Sequence, residues 1–210
     1  FVTLDQACKC VEAVAVPRDQ EGALGVFAVL LAPRDGAVRS LSDLKGRVLA
    51  VPREPATTTR AVPLAQLAVQ GFGEPGALGT LRDVDNPVDG WRLVLNGEAD
   101  AVMGWSSLQG EASTGYSLGT LNHLIEQTGL AERDDIRVVW TSRIVPHGPH
   151  VIRTDLPTEL KETIKRFLLD LKNTDILAYD AVEPHLSGGF SEVGPNDFIA
   201  LTRVVTGQGQ

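Results

Sequence analysis

Apolar residues along this chain come in short runs that stop at proline or glycine, and these runs alternate with stretches of helical period. Residues 11–16 alternate apolar and small side chains and end at Pro17, the pattern of a strand. Residues 26–32 form an unbroken apolar run stopped by Pro33, as in a central strand. Residues 47–51, 78–84, 99–103 and 136–140 read as further strands. Helical spacing appears in residues 61–70, where Val62, Ala65, Ala68 and Val69 share a face. It appears again after Pro87, with Trp91, Val94 and Leu95, and in residues 122–130. The strongest helix opens at Thr158, with Leu160, Ile164, Phe167, Leu168 and Leu171 on the apolar stripe. Residues 1–7 read as the end of a helix, and residues 196–204 as a last one, before a fraying tail at 206–210. Strands alternating with helices predict an α/β fold.

Local signals sharpen this outline. Ser40 with Asp43 three residues later is a capping box, and Gly46 suits the residue after a helix end. Residues 71–79 and 107–121 are glycine-rich loops, the second carrying Tyr116 and Ser117.

The stretch with the most specific chemistry lies between the strand at 47–51 and the helix at 61–70. It is a polar turn with three consecutive hydroxyls, Thr57, Thr58 and Thr59. A single threonine there is an ordinary helix cap. Three exceed what one cap needs. Free amides at a helix start, the helix dipole and hydroxyl donors together suit an anion.

Composition narrows the partners. The chain has 210 residues, a net charge of −8 and no cluster of Lys or Arg, which argues against nucleic acid and anionic membrane surfaces. An acidic protein can still hold an anion in a local nest of donors. No apolar run reaches the ~20 residues of a membrane span, so no membrane insertion is expected. No secretory leader is present in this sequence; a mature exported protein would lack one, so this does not decide the compartment. Cys8 and Cys10 are the only cysteines. Two positions apart on a strand, they would face opposite ways, so they read as small apolar residues, or as one partner of a bridge elsewhere. Neither they nor His147 and His150, three apart in a Pro-Gly-Pro turn, make a convincing metal site. No nucleophile elbow, phosphate-loop or paired-histidine helix pattern occurs, so neither an enzyme nor a cofactor is expected.

Three blocks carry a family resemblance. Residues 40–46 (SLSDLKG), the strand that follows, Glu54-Pro55 and the threonine triplet resemble the phosphate/phosphite/phosphonate-binding component of ABC transporters. That family carries an SLxDLKGK segment, a strand and a DPxSTSG turn whose hydroxyls grip the phosphonate oxygens. Residues 139–161 resemble its LWxSPPIPxDPxxVRxDLPxELK segment, and 96–101 its NGEVDA. The resemblance implies a two-lobe type II periplasmic-binding-protein-like fold. Lobe I would hold residues 1–31 and 150–210, and lobe II residues 32–149. The first lobe would be incomplete, since family members carry a further strand–helix–strand–helix segment upstream. It also implies capture of a small anion in an interlobe cleft by hinge closure, in the periplasm or on an extracytoplasmic lipoprotein, with ABC permease subunits as partners.

The resemblance assigns ligand contacts unevenly. Thr57, Thr58 and Thr59 match the hydroxyl turn, with Arg60 in place of the family's glycine. The family's aromatic near the start of the crossing strand falls at Val26 and Phe27, which lack a phenolic hydroxyl. The family's histidine at a helix start falls at Pro87; Asn86 or Asp89 can substitute, or simply cap the helix. The family's Asp-Ser pair falls at Trp105 and Ser106, so the usual carboxylate is missing. Trp105 can stack on a ligand or pack between lobes. His147 lies where the return strand would pass the cleft, Tyr116 sits in a loop able to reach it, and His150 reads as structural. These departures keep open a same-fold binding protein or sensor domain for another molecule, such as a sulfonate or a thiamine precursor, with a hydrolase as the remoter alternative.

Overall fold

Proline and glycine stop the apolar runs where the pattern requires, and the chain folds accordingly. The computed structural model describes residues 1–54, 56–194, 197–199 and 201–202. In chain order it forms α1 (Val2–Cys8), β1 (Val11–Pro17), β2 (Gly25–Pro33), β3 (Val48–Pro52), α2 (Val62–Leu67), β4 (Thr80–Val84), α3 (Pro87–Leu95) and β5 (Ala101–Ser106). There follow α4 (Thr120–Asn122), β6 (Ile136–Thr141), β7 (Val145–Pro146), β8 (His150–Arg153), α5 (Thr158–Thr174), α6 (Ile176–Val182) and β9 (Phe190–Glu192). Two compact units result, one from Phe1–Gly25 with the described residues from Pro146 onward, the other Val26–Val145.

The second unit is built on a sheet of order β4-β3-β5-β2-β6. β3 runs parallel to β4 and to β5, while β2 is antiparallel to β5 and β6. The central strands are buried on both faces, which is why they read as continuous apolar runs. One face packs Leu30, Leu49, Val51 and Met103 against Leu44 and Leu67, and the other packs Val29, Leu31 and Val102 against Trp91, Leu121 and Leu124. α3 lies so close that a Cβ on Gly90 would meet Val102 Cγ2 at 2.5 Å and Ala50 Cβ at 3.3 Å.

The first unit has a three-stranded antiparallel sheet, β8-β1-β9. α5 and α6 cover it through Leu168, Leu171 and Tyr179, and Phe190 meets His150 and Tyr179 edge to face at centroid distances of 4.8 and 5.3 Å. His150 is also 3.4 Å from Glu183, a structural setting.

Several expectations need correcting. Cys8 and Cys10 form a disulfide. They do not sit on one strand: Lys9 caps α1 with left-handed φ 51°, and the turn brings the two Cα atoms within 5.0 Å. α2 begins and ends in wider π-type turns, Thr57–Ala61 and Ala68–Phe72. The added width shifts the helical phase, leaving Val69 71% exposed while Val62, Pro63 and Leu67 are buried. Leu95 and Phe167 are also exposed, at the margins of stripes centred on Trp91–Val94 and Leu168–Leu171. α6 is absent from the sequence reading, although Asp175 caps it by accepting from the Ala178 amide at 3.0 Å. The helix expected at 196–204 falls largely outside the described residues, as does the tail at 206–210; Phe198 packs on Phe1 at a centroid distance of 5.3 Å.

Candidate anion site at the carboxyl edge of the sheet

Parallel pairing decides which segments meet. Pro52 ends β3 opposite Val84 of β4, and Ala50 lies opposite Val102 of β5. Carried on, that register puts Gly104 level with Pro52. Trp105 and Ser106 therefore run past the end of β3, on the edge where Arg53 follows β3 and Asn86 follows β4. Carboxyl edges of parallel strands are where open α/β sheets bind ligands.

The threonines lie within the helix, not in a turn before it. The Ala56 carbonyl accepts from both the Arg60 amide at 3.0 Å and the Ala61 amide at 3.1 Å, which makes the first turn π-type. Thr57, Thr58 and Thr59 thus occupy three of the four positions whose amides a helix leaves without an intrahelical acceptor, Ala56 being the other. Among the described residues nothing accepts from those amides or bonds to the three hydroxyls. Thr59 is 8% exposed, yet its hydroxyl is not sealed among the buried unpartnered atoms. The residue is packed in place and its hydroxyl remains available to solvent.

Arg60 fixes this turn. Its side chain is 18% exposed, and its guanidinium donates to the Pro52 carbonyl at 3.1 Å and to Asp83 Oδ1 at 2.6 Å, with Glu54 at 3.3 Å. The Arg53 amide donates to the Val84 carbonyl at 2.9 Å, tying the connection to β4. Sequence reasoning noted Arg60 only as a departure from the family's glycine.

The remaining candidates divide. Trp105 is half-buried; its amide donates to Thr120 Oγ1 at 3.1 Å, and its indole N–H has no partner among the described residues. Ser106 is fully buried and its hydroxyl accepts from the Leu108 amide at 3.1 Å. Asn86 caps α3, accepting from the Asp89 amide at 2.9 Å and donating to its carboxylate at 2.7 Å. Tyr116 packs against the α3 and α4 side of the sheet with left-handed φ 71°. Phe27 is partly buried on β2.

His147 belongs to the first unit. Its amide donates to the Leu24 carbonyl at 2.9 Å, and Nε2 is buried without a partner among the described residues. Burial lowers its pKa, with Asp19 and Glu183 pulling the other way. A shallow hollow of about 270 Å³ along α5 is lined by Thr163, Arg166, Phe167, Asp170 and Thr174, remote in sequence from any candidate. No group of three or more metal-ligating side chains occurs among the described residues.

Comparison with known proteins then decides the family. Residues 1–196 match the phosphonate ABC-transporter periplasmic substrate-binding proteins. The chain belongs to that family. Among solved structures, it resembles XAC2383 from Xanthomonas citri bound to ATP, with a TM-score of 0.70 at 17% identity, covering 98% of this chain and 73% of that one. It also resembles the binding-protein component of an ABC phosphonate transporter, PA3383 from Pseudomonas aeruginosa, at TM-score 0.60 and 17% identity. That match covers 97% of this chain and 64% of the Pseudomonas one. The fold is the α/β fold of type II periplasmic binding proteins. No helix among the described residues is long and apolar enough to cross a membrane.

Proposed function

We propose that this chain is the periplasmic solute-capturing component of an ABC transporter for a phosphonate-, phosphite- or phosphate-like anion. The observation that carries the proposal is the row of donors at Thr57, Thr58 and Thr59 without a partner among the described residues, held by a buried Thr59 and a clamped Arg60. The anion's oxygens accept from the three amides and hydroxyls, and charge-assisted bonds of this kind are the strong ones. Trp105 covers the non-oxyanion end of the solute with its ring and offers its indole N–H. The two units close on the solute as lobes, with His147 on the first unit's side, and the permease receives the closed form. The role is capture without turnover. The exposed disulfide suits an oxidising compartment.

A thermal-shift panel of phosphate, phosphite, methylphosphonate, aminoethylphosphonate, sulfonates and pyrimidines tests this, with ATP added because XAC2383 carries it. Ligand binding raises the unfolding midpoint by mass action. A tetrahedral oxyanion should give the largest shift, and the double variant Thr57→Val/Thr58→Val should lose it while staying folded. Stabilisation by uncharged compounds alone would favour the reading as a binding protein or sensor for another molecule.

A further inference from the structure

The sheet register brings one more cation to the edge that holds the threonines. Gly104 of β5 lies opposite Val29 of β2, and Val29 lies opposite Thr141 of β6. Thr141 is thus level with Gly104 and Pro52, and Arg143 runs past the end of β6 on the same edge. Its backbone is held from both sides: the amide donates to Gln66 Oε1 at 2.9 Å, and the carbonyl accepts from the buried Ser142 hydroxyl at 2.6 Å. The side chain is exposed, and its guanidinium has no hydrogen-bond or ion-pair partner among the described residues. Arg53 and Arg60, which follow β3, are by contrast engaged by carboxylates. The turn Thr57–Ala61 packs against β3 and β5. Trp105 lies opposite Ala28, which belongs to the core that Leu67 of α2 covers, and directly paired residues share a face of the sheet. Gln66, which holds the Arg143 amide, is on α2 itself. Hydroxyl row, indole and guanidinium therefore follow one another along the α2 side of the edge.

We infer that the solute is a two-headed anion: the threonines hold its phosphonate-like head, and Arg143 receives a second anionic group at the end of a short tail. The inference rests on the function proposed above and deepens it. Strand spacing puts β6 about 10 Å beyond β5, and helix rise puts Gln66 about 10 Å beyond Thr59. An extended arginine covers part of that interval, and a tail of a few carbon atoms, lying along Trp105, covers the rest. Arg143 is then a specificity-determining residue, because a guanidinium fork receives a carboxylate bidentately. The side chain is exposed, so solvent screening limits the gain in affinity to roughly threefold to tenfold.

Calorimetry with matched pairs of phosphonates tests this. Phosphonoacetate, phosphonopropionate and phosphonobutyrate are each compared at neutral pH with the alkylphosphonate of equal chain length. The longer carboxylates should bind roughly threefold to tenfold more tightly than their alkyl counterparts, and the advantage should shrink as salt is raised. Arg143→Gln keeps the backbone bonds to Gln66 and Ser142 and should abolish the advantage, while Arg143→Lys should restore part of it. Thermal unfolding checks that both variants are folded. If alkylphosphonates bind but no carboxylate gains over its counterpart, or if the gain survives Arg143→Gln, the inference is overturned and the anion site stands. Failure of every phosphonate to bind removes the threonine site itself, and the inference with it.

Discussion

Thr59→Val separates a ligand site from a packed helix start. Valine keeps the β-branched shape and replaces one hydroxyl by a methyl, and the helix propensities of the two residues are nearly equal. Thr59 is 8% exposed, so the methyl enters a packed environment, and its hydroxyl has no partner among the described residues to lose. The stability change should stay within about 0.5 kcal/mol, or about 2 °C in unfolding midpoint for a chain of this size. Binding is where the loss should fall. A hydrogen bond to a charged acceptor contributes about 1.5–3 kcal/mol, which is roughly a tenfold to hundredfold loss in anion affinity. Chemical denaturation gives the first quantity and calorimetry with the best anion of the panel gives the second. Stability falling by about 2 kcal/mol would mean that the hydroxyl is bonded inside the fold. Unchanged affinity in a folded variant would remove Thr59 from the site. Thr59→Ala is the less clean choice, because it also opens a cavity.

Two further perturbations test the frame. Gly90→Ala gains roughly 1 kcal/mol of helix propensity but drives a methyl to 2.5 Å from Val102 Cγ2, an overpacking cost of about 1–3 kcal/mol. Net destabilisation is expected in chemical denaturation, relieved in part by Val102→Ala; a stabilised Gly90→Ala would show that α3 sits farther from the sheet. His147 tests the first unit. Burial lowers its folded pKa below the ordinary 6.5, so the native state binds fewer protons than the unfolded chain. Its contribution is therefore complete above that value and lost as pH falls through it. Unfolding midpoints measured from neutral to mildly acidic pH should show this decline, flattened in His147→Gln; an identical slope in the variant would assign the decline to other groups.

The strands were legible because burial on both faces leaves a signature that needs no third dimension. Residues 26–32 and 47–51 are apolar throughout, and both lie in central strands. The failures are equally physical. Cys8 and Cys10 were read on strand geometry, whereas a single left-handed residue, Lys9, turns the chain between them. Val69 was assigned to a buried face on a 3.6-residue period that the π-type turn from Ala68 does not keep. Asn86 and Tyr116 were legible as residue types, but whether a polar group is free for a ligand depends on its neighbours. Asn86 is engaged by Asp89, and Tyr116 is packed on the sheet.

The same distinction explains why the donors could be read from sequence and their electrostatic setting could not. Three consecutive threonines before a helical pattern are local, and so is the chemistry they imply. Arg60, read beside them, is only a departure from the family's glycine. Its sign in the local field is decided by β4, more than twenty residues further on, whose parallel register with β3 brings Asp83 to 2.6 Å from the guanidinium. Glu54 takes a second edge of the same fork. A residue that is a mere departure from a motif in one dimension is thus a brace in three. Its guanidinium is engaged within the turn by Asp83, Glu54 and the Pro52 carbonyl.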